Sequence, residues 1–365
     1  MYRAIRAHLS GRRFQYRMPK ASTAKSNKHL IFPVCVGILG AHLLSTTNTI
    51  TTRSERSKII LNTESFTPQT NLVVSSYEDK IRKHSHPFKV FQYFASETRD
   101  GTSYMTVLDL IRSLTPSSAP SAPSSPTIPP ESLAFFKLAD IDADGLISYD
   151  EYLFFLALLA TPEKSWHVAF RLFDEDGDGH VSLKEFKQIV KSNMRASSAK
   201  ALGTRERVTL SSNTSLVRLF FGSDGTQPLS RARFTSFMTR LHTEVSRLEF
   251  ATYAPSTEGG RHTISAADFG RAVVAYDGRY GARLHAYRGR DDRRISFLDF
   301  LNFDAMVRNH LADIELAVKL YGHAPLDRDR FKRIIQTVAF TSLTEPQLDV
   351  IYFLFDPTDK ELGRS

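Results

Sequence analysis

Between residues 105 and 331 one short pattern of apolar and polar positions keeps returning: an apolar residue, a small polar one, three variable positions, then an aromatic. It reads Ile147-Ser148…Tyr152, Val181-Ser182…Phe186, Leu229-Ser230…Phe234, Ile264-Ser265…Phe269, Ile295-Ser296…Phe300 and Leu326-Asp327…Phe331. Met105-Thr106…Leu110 is a weaker copy. From the first full copy onward the steps are 34, 48, 35, 31 and 31 residues. A period of this length marks a chain built by repeating one supersecondary unit. Phe135, Phe136 and Phe155, and again Phe170, Phe173 and Phe186, recur at helical spacing, which predicts helices turning phenylalanine-rich faces to a core. Two polar stretches interrupt the pattern: a Ser/Pro-rich segment at 115–130 and a Ser-, Lys- and Arg-rich one at 194–215.

The first two full copies lie inside twelve-residue loops. Asp140 to Glu151 reads D-I-D-A-D-G-L-I-S-Y-D-E, and Asp174 to Glu185 reads D-E-D-G-D-G-H-V-S-L-K-E. Both place acids at positions 1, 3, 5 and 12 and glycine at 6, the pattern of the EF-hand calcium loop. Asp140, Asp142 and Asp144 offer one carboxylate oxygen each, Leu146 its backbone carbonyl, Ser148 a seat for a water, and Glu151 two oxygens. In the second loop Asp174, Asp176, Asp178, the His180 carbonyl, Ser182 and Glu185 repeat the set. Gly145 and Gly179 permit the sharp bend. Hard oxygen donors in a flexible shell suit calcium better than magnesium, and four acids per loop predict affinities on the order of 10⁻⁷–10⁻⁵ M.

The other copies read as EF-hand units without ligands. In such a unit the apolar residue sits on the short strand that joins paired loops, and the aromatic opens the exiting helix. Position 12 is Arg233 or Arg330 in two copies and the shorter Asp268 or Asp299 in two others. The stretches G-S-D-G-T-Q-P and Y-A-P-S-T-E-G-G-R-H upstream lack the set of acids at positions 1, 3 and 5, the first keeping only Asp224 at position 3. Phe355 to Leu362 enters a further loop that has no glycine at position 6, and the sequence stops before position 12, through divergence or truncation. The expected fold is all-α and multi-lobed, with two ligand-competent calcium loops and several degenerate EF-hand units. The expected organisation is an N-terminal lobe at 76–193 carrying both calcium loops, a linker at 194–215, degenerate units at 216–310 and a last EF-like unit at 311–365. Six methionines are few for a Met-rich promiscuous peptide groove, which favours a dedicated partner.

Charge narrows the partners. The chain of 365 residues carries +9, but residues 1–62 hold eleven Lys and Arg against the single acid Glu55. Their +10 leaves −1 for the remaining residues, so the body is not basic and a nucleic-acid partner is not expected. The first residues are rich in Arg, Lys, Ser and Thr and free of acids, the composition of a mitochondrial presequence. An apolar run at 29–44 follows, short for a spanning helix and broken by Pro33, Gly37 and Gly40. Residues 1–50 are therefore expected to be a presequence with a sorting or anchoring segment, and 51–75 a linker. Cys35 is the lone cysteine, so no disulfide or cysteine-ligated metal is expected in the folded body.

Four stretches resemble the mitochondrial calcium uptake family, the EF-hand gatekeepers of the mitochondrial calcium uniporter. They are Y-E-D-K-I-R-K-H-S-H-P-F-K-V-F-Q-Y-F-A-S from Tyr77 to Ser96, Y-M-T-V-L-D-L-I-R-S-L-T-P from Tyr104, the two calcium loops with their flanks, and L-E-F-A-T-Y with the following I-S-A-A-D-F-G. The resemblance covers about residues 76–356. It implies a calcium sensor of the intermembrane space, associated with the inner membrane, that forms homo- or heterodimers with related EF-hand proteins. It also implies action on the pore subunit of the uniporter, with Tyr77 and Arg82 as candidate contacts to the pore's acidic mouth. Three departures stand out: the carboxyl-terminal loop is broken, the body has no cysteine for an intermolecular disulfide, and a helix after the last unit is missing. Spacing alone would pair the 140 loop with the 174 loop, whereas the family arrangement gives each a degenerate partner on its other side. The latter is the expectation. No nucleotide loop, nucleophile motif or His/Cys cluster points to an enzyme. The alternatives are a plain mitochondrial calcium buffer or a calcium-responsive subunit of another mitochondrial enzyme or carrier.

Overall fold

The structure, a computed structural model, describes residues 77–82, 85–116, 128–191, 214–253, 255–258, 261–274, 280–287, 293–320 and 327–355. The expected presequence and its apolar run, the 51–75 linker, most of the two polar stretches and the broken last loop lie outside the described residues.

The recurring small polar residue turns out to start a helix every time. Thr106 caps Val107–Leu114, Ser148 caps Tyr149–Ala160, Ser230 caps Arg231–Ala251, Ser265 caps Ala266–Val273 and Asp327 caps Arg328–Val338. Ser182 and Ser296 accept the corresponding backbone N–H from Glu185 and Asp299, at 3.2 Å in both cases. Each such cap is worth roughly 1 kcal/mol to its helix. At Thr106 and Ser148 the acid three residues on reaches back to the cap's own N–H, closing a capping box. Asp109, Glu151, Glu185 and Asp299 all use position 12 of their units this way. The pattern thus persists in units without calcium ligands for a local reason: it begins a helix whether or not an ion is present.

The apolar residues of six copies pair across short antiparallel contacts, and Leu326 of the last copy lies outside the described residues. Met105 and Ile147 exchange backbone hydrogen bonds of 2.9 and 2.8 Å in an antiparallel bridge. Val181 pairs Leu229 between strands His180–Val181 and Leu229–Ser230, and Ile264 pairs Ile295 between Arg261–Ser265 and Arg294–Ser296. All six side chains are buried. The 140 loop is therefore joined to the degenerate unit before it, and the 174 loop to the one after it. The two calcium loops are neighbours in sequence but members of different pairs.

Two apolar cores result. The first runs from Ile81 to Leu248 and contains both calcium loops; the second runs from Phe250 to Leu354. The chain passes between them inside the single helix Arg231–Ala251 rather than at the 194–215 stretch, because the Val181–Leu229 pairing draws segments on both sides of that stretch into one core. All six phenylalanines picked out by helical spacing are buried in the first core. In the second, Ala266–Val273 packs so closely on helices Gly281–Tyr287 and Glu345–Phe355 that a Cβ on Gly270 would meet Leu284 of the first at 2.9 Å and Val350 of the second at 3.0 Å. A buried polar joint ties helix Arg231–Ala251 to helix Phe297–Leu320, with Arg308 bonded to Asp304 and to His242 Nδ1, and Ser246 donating to Asp304. Among the described residues no helix is long and apolar enough to cross a membrane.

Candidate calcium centres

The first loop begins where helix Pro130–Phe136 and the 3-10 turn Lys137–Ala139 end, and it closes on the first turn of Tyr149–Ala160. The second hangs between helix Trp166–Phe173 and the helix over 183–191. Oxygens of Asp140, Asp142 and Asp144 lie within 4.8 Å of one another, as do those of Asp174, Asp176 and Glu185. Backbone N–H groups hold the acids in place: Gly145 donates to Asp140 at 3.0 Å and Gly179 to Asp174 at 3.0 Å. Leu146 and His180 donate to Asp144 and Asp178 at 2.8 and 2.7 Å. Gly145 and Gly179 adopt φ of +88° and +86°, the left-handed conformation expected at position 6. Position 4 is left-handed too, as Gly177 in the second loop but as Ala143, at φ +62°, in the first.

Each position-12 glutamate is saturated with donors. Glu151 takes N–H groups of Ile141 and Asp142 on one oxygen, and the N–H and hydroxyl of Ser148 on the other, at 2.7–3.1 Å. Glu185 repeats this with Glu175, Asp176 and Ser182. A carboxylate has about four lone-pair sites. Bidentate binding of an ion at position 12 would compete with these donors for the same lone pairs.

The two centres differ in burial. Glu151 is 1% exposed, and burial, aided by Asp142, pushes its carboxyl up to about 7. Asp140 and Asp142 are raised as well, by burial first and then by neighbouring acids. At Glu185 burial works in the same direction, but hydrogen bonds from Ser182, Asp176 and Glu175 outweigh it and hold the carboxyl below its ordinary value. Asp174 Oδ1 is buried with no hydrogen-bond partner among the described residues. An orphaned buried carboxylate oxygen facing two other acids is costly alone and is suited to a hard cation. The donor sets fit calcium.

The two partner-contact candidates part company. Tyr77 is exposed and stands edge-on to Tyr93 at 5.8 Å. Arg82 turns inward. It bonds Glu78 at 2.9 Å, Asp79 at 2.7 Å and the carbonyl of Arg112 at 2.9 Å, and lies over the Phe94 ring. Tyr77 and Arg82 stand on the helical segment 77–82, which packs through Tyr93 and Phe94 on helix Pro87–Phe94. That helix touches the first calcium unit directly, with Phe91 5.3 Å from Tyr149 and 5.6 Å from Tyr152.

EF-hand family models match residues 134–156 and 165–193, the spans of the two loops. By fold and site this is an EF-hand protein. The chain is 30% identical over 320 residues to calcium uptake protein 1, mitochondrial, of Mus musculus, covering 78% of this chain and 65% of that one. It is 35% identical to the calcium uptake protein, mitochondrial, of Arabidopsis thaliana, covering 77% and 61%. Within the EF-hand class it is a relative of the mitochondrial calcium uptake family. The match spans 65% and 61% of the length of these two relatives. A crystal structure of EFHA2 in its calcium-binding state aligns at 27% identity with TM-score 0.52, over 75% of this chain and 94% of that one. The apo structure of the mitochondrial calcium uniporter protein MICU2 shares the fold at 24% identity and TM-score 0.53, over 75% and 84%.

Proposed function

We propose that this protein is a calcium-sensing gatekeeper subunit that controls calcium uptake through the mitochondrial calcium uniporter. It binds two calcium ions, one through Asp140, Asp142, Asp144, Leu146, Ser148 and Glu151, the other through Asp174, Asp176, Asp178, His180, Ser182 and Glu185. It works in the intermembrane space at the inner-membrane surface, as a homodimer or with a related EF-hand protein, against the pore subunit. The observation that carries the reading is the pair of clustered acid sets in a chain whose relatives are named for mitochondrial calcium uptake.

The packing supplies a route. Calcium at the first loop displaces the donors on Glu151 and reorients helix Tyr149–Ala160. Tyr149 and Tyr152 then shift against Phe91, and the surface with Tyr77 moves. In this account Tyr77 touches the pore subunit, and Arg82 holds the helix that presents it.

The test is calcium uptake by mitochondria lacking the endogenous protein and supplied with the Glu151→Lys, Glu185→Lys double variant. A lost calcium threshold is expected. A normal threshold overturns the sensing role. Hydrophobic dye binding that is unchanged by calcium points instead to a plain buffer, whose EF-hands barely open.

A further inference from the structure

We propose that Arg99 is a built-in competitor for calcium at the first loop. This rests on the reading that residues 140–151 bind calcium. The Arg99 guanidinium donates to Asp144 Oδ2 at 2.9 Å, across 45 residues of sequence. Asp144 is position 5 of the loop, one of the three carboxylates gathered within 4.8 Å. Arg99 belongs to the degenerate partner unit. It ends strand Glu97–Arg99, which is hairpinned to Thr102–Tyr104 through Asp100 and Gly101, both at positive φ. The next residue after that hairpin is Met105, whose bridge to Ile147 joins the two units. The same pairing that completes the EF-hand pair therefore delivers a cation to the competent loop.

The second loop has the same acids without this contact. Among the described residues no Lys or Arg pairs with Asp174, Asp176, Asp178 or Glu185. Calcium entering the first loop must expel the guanidinium from Asp144 or accept a positive charge beside its own. Either outcome raises the dissociation constant there. Arg99 has a second seat when displaced, since its guanidinium already lies 6.0 Å from the centroid of the Tyr104 ring. The side chains of Arg99 and Asp144 are 52% and 37% exposed, so the penalty is that of a screened surface pair, roughly two- to fivefold in affinity. It weakens further as salt rises.

The experiment measures calcium affinity by competition with a chromophoric chelator on the full chain carrying Glu185→Lys, so that the first loop reports alone. Arg99→Gln and Arg99→Lys are added to that background. Arg99→Gln is expected to lower the dissociation constant roughly two- to fivefold at low ionic strength, with the gain shrinking at about 0.5 M salt. Arg99→Lys, which keeps the charge, is expected to stay close to the parent. An unchanged or weakened affinity in Arg99→Gln overturns the competitor role and leaves calcium binding intact. Absence of calcium binding at the first loop in the Glu185→Lys parent overturns both readings.

Discussion

Phe186 is the aromatic of the second full copy of the repeat, and the structure makes it the hub of the first core. It stacks on Phe173 at 5.8 Å and meets Phe154, Phe220 and Phe221 at 6.3, 5.8 and 5.4 Å. These rings come from three other helices: Tyr149–Ala160, Trp166–Phe173 and Ser215–Phe221. At 2% exposure the side chain is enclosed by the core. Phe186→Ala is therefore expected to cost about 3–5 kcal/mol, from lost transfer energy plus the cavity left behind. Its counterpart in the last copy, Phe331, is only half-buried and packs on Tyr352. Phe331→Ala should cost the second core less and leave the first core alone. The chain has one tryptophan, Trp166, and it is buried in the first core, so guanidinium unfolding followed by its fluorescence reports on that core. A loss under about 1 kcal/mol in Phe186→Ala refutes the hub. An equal shift of the Trp166 transition in Phe331→Ala refutes the division into two cores.

Other outcomes follow from single contacts. Gly177→Ala should lower stability without calcium by about 1 kcal/mol, since φ is +76° there and nothing lies within 4 Å of an added Cβ, so the cost is backbone alone; unchanged denaturation midpoints refute it. Ser132→Ala removes a buried 2.7 Å hydrogen bond to Glu244 and should cost about 1–3 kcal/mol, read again at Trp166, with a null effect as the refutation. His242 is pushed down to about 4 by burial and by the adjacent Arg308, opposed by the Leu158 backbone. Its unfolded form binds the proton more readily, so this stability is complete above about pH 6.5 and is lost as pH falls towards 4, up to about 3 kcal/mol. An imidazole resonance titrating near its ordinary pKa sinks that assignment.

The residues themselves determined the chemistry. Twelve consecutive positions suffice to write an EF-hand calcium loop, and the helical spacing of Phe135, Phe136, Phe155, Phe170, Phe173 and Phe186 marked a core that the structure buries. The helix starts carry a local signature too, a Ser or Thr followed three residues later by an acid, which the structure brings out. Five of the seven copies carry it, while Arg233 and Arg330 replace the acid in the other two. What only the tertiary structure decided is which segments meet. The pairings of Met105 with Ile147 and Val181 with Leu229 assign the two calcium loops to different partners, against the prompting of their 34-residue spacing. The contact of Arg99 with Asp144 and the inward turn of Arg82 are likewise invisible in sequence. A charge on a helix or hairpin is drawn the same way whether it faces water or a carboxylate, and only packing brings the opposite charge within reach.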